Sequence, residues 1–314
     1  MRGVGHSDAI ESVTFRHEEG NEGEKLGVKR GNEGLFGVKL LKRQGQLSAL
    51  SGQAVSFWRL APVSPASIKW LTLPSPKKET PAQMQTLGII GGIAPESTVE
   101  YYRLIIASYR RQTADGSYPP LLINSIDLTK LLGLVAAARL PEVTEYLLAE
   151  LQKLARAGAD LALLASNTPH IVFDDLERQS PIPLISIVEC ACQQAKSLGL
   201  KKVGLFGTRF TMQAKFYPAV FAREGIAVVT PDPADQDYIH TKYMDELINA
   251  TFLPETRAGL LAIVERLKKQ ADIQGVLLGG TELPLILRDN GGTGIPFLDT
   301  SRIHAESAVA RILE

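Results

Sequence analysis

The sequence contains little cysteine and no long apolar run. Only two of its 314 residues are cysteines, Cys190 and Cys192, which lie two positions apart in a segment predicted to be helical. Side chains at positions i and i+2 of a helix point to different faces, so we expect small core thiols and no disulfide between them. Low cysteine content is typical of the reducing cytoplasm.

No apolar run approaches the ~20 residues of a membrane span, and the N-terminus lacks a secretory signal pattern, so we expect a cytoplasmic protein without a membrane partner.

The sequence also lacks net charge and nucleotide-binding motifs. Its 34 Lys and Arg residues balance its 34 Asp and Glu residues, so no bulk electrostatic attraction favours nucleic acid. The glycine turn at 91–98 (GGIAPEST) does not match the G-x-G-x-x-G pattern of dinucleotide sites, and no Walker-type motif occurs. The sequence contains no cluster of Cys and His residues of the kind that binds a metal ion. We therefore expect no nucleotide cofactor, no metal ion and no nucleic-acid partner.

From residue 84 onward, short apolar segments alternate with amphipathic ones. The apolar segments are typical of parallel strands covered on both faces, and they span residues 85–91, 120–126, 160–165, 183–187, 202–207, 226–230, 274–279 and 295–298. The predicted helices span residues 96–111, 141–157, 188–198, 213–224, 236–250, 254–271 and 302–313. This alternation predicts an α/β fold with doubly wound, Rossmann-like parallel sheets.

Residues 1–83 do not resemble domain core, so we expect a poorly ordered extension, or a translation start at Met84.

The motifs at the strand ends are repeated along the chain. Ser166 in SNTPH and Gly280 in GGTEL are 114 residues apart, and Gly91 and Gly207, which end earlier strands, are 116 residues apart. The sequence therefore predicts two pseudo-symmetric α/β domains with a cleft between them. We expect the first domain to comprise residues 84–187 plus 297–314 and the second to comprise residues 188–296. Ligands of such sheets bind beyond the carboxyl ends of the strands, where these motifs lie.

The SNTPH loop is the first candidate site. Thr168 is predicted to cap a helix whose first turn contains Pro169, and the free N–H groups of such a helix start favour a carboxylate or a phosphate. Asn167 adds an amide donor. Ser166 and His170 are candidate catalytic residues, because histidine acts as an acid or base near neutral pH. The alternative for His170 is a core histidine whose hydrogen bonds are satisfied.

The second half of the chain offers a matching set of residues. Gly280 allows a ligand to approach the backbone, Thr281 is predicted to cap the next helix, and Glu282 follows in its first turn. Thr208, in the FGTRFTMQ segment, adds a hydroxyl group. Together with Asn167 and Thr168, these four residues are our candidates for binding a small carboxylate.

In combination, these segments resemble the aspartate/glutamate racemase family. The resemblance depends on the GG…EST start, SNTPH, LFGTRFTM, GGTEL and the closing FLDTSRIHAESAV, and it spans about residues 84–314. It implies a cofactor-independent racemase with an active site between two similar domains, an acidic amino acid as substrate, and a homodimer. In that family one thiol stands at the first position of the x-N-T-x-H loop and another at the second position of the G-x-T-E loop. The two thiols exchange protons with opposite faces of Cα.

The sequence departs from this pattern at both thiol positions, which are Ser166 and Gly280. A serine hydroxyl is a weak base unless it is activated, and His170 is the only nearby candidate for that. Protonation on the other face would need water, Thr281 or Glu282. Three hypotheses remain: racemisation of an acidic amino acid, a one-sided decarboxylation, lysis or hydrolysis of a small carboxylate, and carboxylate binding without catalysis.

Overall fold

A computed structural model of the chain describes residues 84–113 and 115–314, which belong to one compact unit, Lys77–Glu314. It also describes two short strands, β1 (Ser12–Val13) and β2 (Leu26–Gly27), which pair antiparallel. Apart from these strands, the expectation for residues 1–83 falls outside the described residues. Among the helices of the described ranges, none is long and apolar enough to cross a membrane.

The first lobe is built on a four-stranded parallel sheet. Its strands are β3 (Leu87–Gly91), β4 (Leu121–Ser125), β5 (Leu161–Leu164) and β6 (Leu184–Ile185). They lie in the spatial order β4–β3–β5–β6. The central strands β3 and β5 are buried along their whole length, as expected for parallel strands with helices on both faces.

The second lobe repeats this design. Its strands are β7 (Lys202–Gly207), β8 (Ala227–Val229), β9 (Gly275–Gly279) and β10 (Phe297–Asp299). They are parallel and lie in the order β10–β9–β7–β8. If β3, β4, β5 and β6 are matched with β7, β8, β9 and β10 respectively, the strands of the two sheets have the same spatial arrangement.

The strand register confirms the repeat predicted from spacing. Ile90 pairs with Leu164 in the first sheet, and Phe206 pairs with Leu278 in the second. The matched positions are 116 and 114 residues apart along the chain, the separations found between the sequence motifs. Position 166 therefore corresponds to position 280, and each lies just beyond a central strand.

Helices cover both sheets, and many begin at a proline or at a capping side chain. The first lobe contains α1 (Pro95–Gln112), α2 (Leu128–Ala136), α3 (Leu140–Arg156) and α4 (Phe173–Gln179). The rest of the chain contains α5 (Ile187–Ser197), α6 (Arg209–Gln213), α7 (Phe216–Arg223), α8 (Pro233–Asp245), α9 (Pro254–Ala271), α10 (Leu283–Ile286) and α11 (Thr300–Leu313). In the described part of the chain, 3-10 helices span Thr168–Val172 and Leu247–Asn249.

All eight strands predicted from residue 84 onward are present, but the helices differ in places. The helix ranges predicted from the sequence pattern do not include α2, α4 or α10. The pattern also predicted one helix over 213–224, whereas the structure has α7 there and a separate short helix, α6, before it. Thr208 caps α6 by accepting a hydrogen bond from the Thr211 N–H, so that helix begins earlier than predicted. Ala214 then adopts an extended conformation and separates α6 from α7.

The predicted boundary between the two domains is wrong at the C-terminus. We assigned residues 297–314 to the first domain, but β10 pairs with β9 in the second sheet. Only the following helix, α11, packs on the first lobe, where Ala305 and Val309 join the core formed by Leu87 and Tyr101. The last segment therefore joins the two lobes, because β10 belongs to the second sheet and α11 packs against both α1 of the first lobe and α5.

Candidate functional site

The SNTPH loop follows β5 and lies beside the glycine turn that follows β3. The Ala165 N–H donates to the Ile90 carbonyl oxygen at 2.9 Å, and the Ser97 hydroxyl donates to the Ala165 carbonyl oxygen at 3.3 Å. Ser166 and Asn167 come next and are buried, with 9% and 3% of their surfaces exposed. The structure thus brings two of the predicted motifs together at the carboxyl edge of the first sheet.

His170 does not contact the Ser166 hydroxyl. Its Nδ1 atom lies 3.0 Å from the Ser166 carbonyl oxygen, and its Nε2 atom accepts a hydrogen bond of 3.2 Å from the Ile187 N–H. Nδ1 must therefore carry the proton. Burial and the neighbouring His304 lower the pKa of His170 to about 3, so the ring is neutral. The structure does not support the predicted acid or base role, because both ring nitrogens bind the backbone.

Asn167 joins the two lobes. Its Oδ1 atom accepts a hydrogen bond of 2.6 Å from the Tyr217 hydroxyl on α7, and its Nδ2 atom donates to the Thr300 hydroxyl at 3.4 Å. The Thr300 hydroxyl in turn donates to the carbonyl oxygen of Leu278 in β9 at 2.8 Å. A chain of hydrogen bonds between buried groups therefore connects the tip of β5 with the end of β9.

The helix caps predicted at Thr168 and Thr281 are absent. Thr168 is instead the first residue of a 3-10 helix, and Thr281 precedes the short helix α10. Neither helix has a side-chain cap hydrogen bond. Thr208 does cap its helix, and its hydroxyl lies 3.3 Å from that of Thr211. Gly207 and Gly279 are paired in register, so Thr208 and Gly280 follow neighbouring strands.

The GGTEL loop lies against Tyr243 of α8. The Tyr243 hydroxyl donates to Oε2 of Glu282, and the Thr281 hydroxyl donates to the same oxygen at 2.7 Å. All three side chains are buried. Burial, and then the charge of Glu282, raise the pKa of Tyr243 well above its usual value, so the phenol stays protonated.

A cavity of about 500 Å³ lies between the lobes. One wall is formed by residues 170–178 of the first lobe and the other by residues 213–223 of the second. Its lining includes His170 but neither Ser166 nor Thr281. Among the described residues, no three His, Cys, Asp or Glu side chains are close enough together to hold a metal ion.

Comparison with known proteins identifies the family. The model of the Asp/Glu/Hydantoin racemase family matches residues 90–308. The chain belongs to this family. The broad specificity amino-acid racemase RacX of Bacillus subtilis is 26% identical over 238 residues, which are 72% of this chain and 98% of RacX. RacX and the matched family are racemases, and racemases are isomerases.

Solved structures of racemases share the fold. An aspartate racemase homologue from Pyrococcus horikoshii is 31% identical, with a TM-score of 0.65 over 74% of this chain and 100% of that one. The aspartate racemase of Picrophilus torridus is 20% identical, with a TM-score of 0.57 over 72% of this chain and 93% of that one. Two lobes with parallel sheets are thus the architecture of this racemase family member.

Neither cysteine of this racemase-family chain lies in the two strand-end loops. Cys190 and Cys192 are on α5 and are not joined in a disulfide, as the sequence predicted. Burial raises the pKa of both thiols. A thiol with a raised pKa forms little thiolate at neutral pH, so these two groups are poor candidates for proton transfer.

Sequence reasoning missed three residues of the site: Tyr217, Tyr243 and Thr300. Tyr217 and Asn167 are 50 positions apart along the chain, and Tyr243 and Glu282 are 39 positions apart. The two tyrosines lie within helices and outside any motif. Thr300 belongs to the FLDTSRIHAESAV segment, which contributed to the family resemblance but gave no sign of a contact with Asn167.

Proposed function

We propose that this protein racemises a small amino acid of the aspartate or glutamate type at Cα, without a cofactor. The observation that carries the proposal is the hydrogen-bonded connection of the two equivalent strand tips. Asn167, beyond β5, binds Tyr217 and Thr300 of the other half of the repeat. Racemisation needs a group on each face of the same carbon atom, and two repeated lobes with linked strand tips can provide them.

The reaction requires the Cα–H bond to break on one face and a new one to form on the other. The electron pair of the broken bond moves into the substrate carboxylate, where hydrogen-bond donors stabilise the developing charge. We assign this binding role to the backbone at Gly280 and Thr281 and to the side chains of Asn167, Thr168 and Thr208. All five positions follow the carboxyl ends of the central strands or lie directly beside them.

We assign the proton transfer on the first-lobe side to Ser166. Its hydroxyl makes no hydrogen bond to any other described residue, which leaves it available to a ligand. His170 is not available to activate the hydroxyl, because its ring is neutral and bound to the backbone. When Ser166 takes the Cα proton, its own hydroxyl proton passes to solvent water, and when it delivers a proton to Cα, water reprotonates the resulting alkoxide. An unactivated hydroxyl is a weak base, so we expect a slow enzyme.

The named relatives support an amino-acid substrate. RacX is a broad specificity amino-acid racemase, and the Pyrococcus horikoshii protein is an aspartate racemase homologue. We infer that an α-carboxylate is the feature all substrates share. We also infer a homodimer, as the family resemblance implies, which light scattering of the purified protein would test.

Deuterium exchange tests the proposed reaction directly. The full chain is incubated in D₂O with each enantiomer of aspartate, glutamate and alanine, and loss of the Cα–H signal is followed by NMR. We expect exchange and formation of the opposite enantiomer with at least one acidic amino acid. Ser166→Ala should slow the exchange, whereas Ser197→Ala, on α5, should not. Exchange with none of these amino acids would refute the racemase proposal.

The same spectra distinguish the other hypotheses. A lyase or decarboxylase would release ammonia or carbon dioxide and produce new carbon signals. A binding protein without catalysis would be stabilised against heat by the ligand, and the spectrum of the ligand would not change.

A further inference from the structure

The missing side chain at position 280 is replaced in space by Tyr243. A Cβ atom built on Gly280 would lie 2.5 Å from Cε2 of Tyr243 and 2.9 Å from its hydroxyl oxygen. Real Cβ atoms do not approach other atoms this closely. Because Gly280 has no side chain, the Tyr243 ring can occupy the space next to it. The Tyr243 hydroxyl thereby reaches the tip of β9 from α8.

The Tyr243 phenol is hydrogen-bonded to the carboxylate of Glu282, which accepts from two donors. Tyr243 and Thr281 both donate to Oε2 of Glu282, and Glu282 itself is only 4% exposed. These two contacts fix the carboxylate against the phenol. The second lobe has no side chain at position 280. It contains instead a buried pair of acid–base groups, Tyr243 and Glu282, joined by a hydrogen bond.

We propose that Tyr243 and Glu282 together perform the proton transfer on the second-lobe side of the substrate. This proposal rests on the proposed racemase function. It adds a catalytic residue, Tyr243, which touches Cα, and a partner, Glu282, which stores the proton. Ser166 and Tyr243 then serve opposite faces, because Ser166 lies at the tip of β5 and the Tyr243 ring lies against Gly280 at the equivalent tip of β9.

The proton balance keeps the phenol neutral before and after each step. In the removal step, the Tyr243 oxygen takes the proton from Cα while its own proton passes to Glu282, and the Cα–H electron pair moves into the substrate. In the return step, the Glu282 carboxylic acid gives its proton to the Tyr243 oxygen while the phenol proton forms the new bond to Cα. A free phenolate beside the carboxylate is avoided, which agrees with the raised pKa of Tyr243.

The test compares isosteric variants with matched controls in the full chain. Tyr243→Phe removes only the hydroxyl, and Glu282→Gln keeps the shape but not the ability to take the proton. Tyr109→Phe and Glu150→Gln are the controls, since each changes a buried, hydrogen-bonded residue of the first lobe. Deuterium exchange is measured separately for the L and the D enantiomer of the best substrate, and thermal unfolding checks that every variant is folded.

We expect Tyr243→Phe and Glu282→Gln to lower exchange from one enantiomer by about 10²-fold or more. Exchange from the other enantiomer should fall much less, and Ser166→Ala should show the opposite preference. The controls should exchange both enantiomers at the wild-type rate. Equal losses for both enantiomers in the two variants would indicate a merely structural role and overturn the proposal.

Two further outcomes separate this proposal from the proposed function. Exchange by the wild type together with unchanged exchange by Tyr243→Phe would overturn the Tyr243 assignment alone. No exchange by the wild type with any amino acid of the panel would overturn both. If Tyr243→Phe does not fold, the enantiomer preference of Glu282→Gln decides the question.

Discussion

The hydroxyl of Tyr217 donates a hydrogen bond of 2.6 Å to Oδ1 of Asn167. Tyr217 lies on α7 in the second lobe, and Asn167 follows β5 in the first, so this bond connects the lobes at the proposed site. Both residues are buried, and burial raises the pKa of the tyrosine, which therefore remains a donor. The position of the first strand tip thus depends on a residue of the opposite lobe.

We predict that Tyr217→Phe destabilises the protein by about 1–3 kcal/mol, because the amide oxygen of Asn167 is left buried without this donor. Urea unfolding at neutral pH measures the change. Binding of substrate should weaken as well, since Asn167 is proposed to hold the carboxylate. A variant as stable as the wild type would mean that the bond contributes nothing to the connection of the lobes.

Stability should fall as the pH is lowered from about 6.5 toward 4. Burial lowers the pKa of His304 to about 4 from its ordinary value of 6.5. As the pH falls, His304 is therefore protonated in the unfolded chain before it is protonated in the folded chain. Proton binding then favours the unfolded state, and the free energy of unfolding decreases through this range. The expected slope is up to about 1.4 kcal/mol per pH unit for each such histidine.

His304→Gln checks this pH dependence. His304 accepts from the Tyr101 hydroxyl and donates to the Ile185 carbonyl oxygen, which are polar contacts that an amide can also make. The free energy of unfolding of the variant should depend less steeply on pH between 7 and 4 than that of the wild type. Equal slopes would show that His304 does not titrate as described.

The fold could be predicted from the sequence because it depends on local pattern. Apolar segments such as 202–207 and 274–279 are short and nearly unbroken, which is typical of covered parallel strands. The spacing of Ser166 and Gly280 then indicated equivalent strand tips, and the register confirmed this. The assignment of β10 failed because pairing partners of a three-residue strand are decided by tertiary contacts, which no local pattern records.

The site could be predicted only in part. Strand-end residues such as Asn167 and Thr208 could be placed at the carboxyl edge of the sheets because loops after parallel strands have a known place in the fold. Tyr217 and Tyr243 were not found, since each reaches the site from a helix distant in sequence. The predicted role of His170 failed for a related reason. Its partner, the Ile187 N–H, belongs to α5, and no sequence pattern indicated that contact.

We predict that both cysteines react slowly with thiol reagents and are dispensable for exchange. Burial raises the pKa of Cys190 and Cys192, so little thiolate is present at pH 7.5. The native protein should react with a disulfide reagent at least about tenfold more slowly than free cysteine. The Cys190→Ala, Cys192→Ala double variant should exchange substrate at about the wild-type rate. Fast reaction of either thiol, or loss of exchange, would contradict this prediction.

The last prediction concerns the contact between Gly280 and Tyr243. Gly280→Ala should destabilise the protein by about 1–3 kcal/mol, because the new methyl group overlaps the tyrosine ring. Gly133→Ala is the matched control. It lies in α2, where the added carbon has no atom within 4 Å apart from its own local helix backbone, and the change should be neutral or stabilising by about 0.5–1 kcal/mol.

A double-mutant cycle decides whether Tyr243 causes the cost of Gly280→Ala. Because the nearest atom is Cε2 of the ring, Tyr243→Phe should leave that cost in place, whereas Tyr243→Val should reduce it. Urea unfolding of the single and double variants provides the free energies. If the cost is the same in the Val background, the overlap does not come from the ring, and Gly280 is required for another reason.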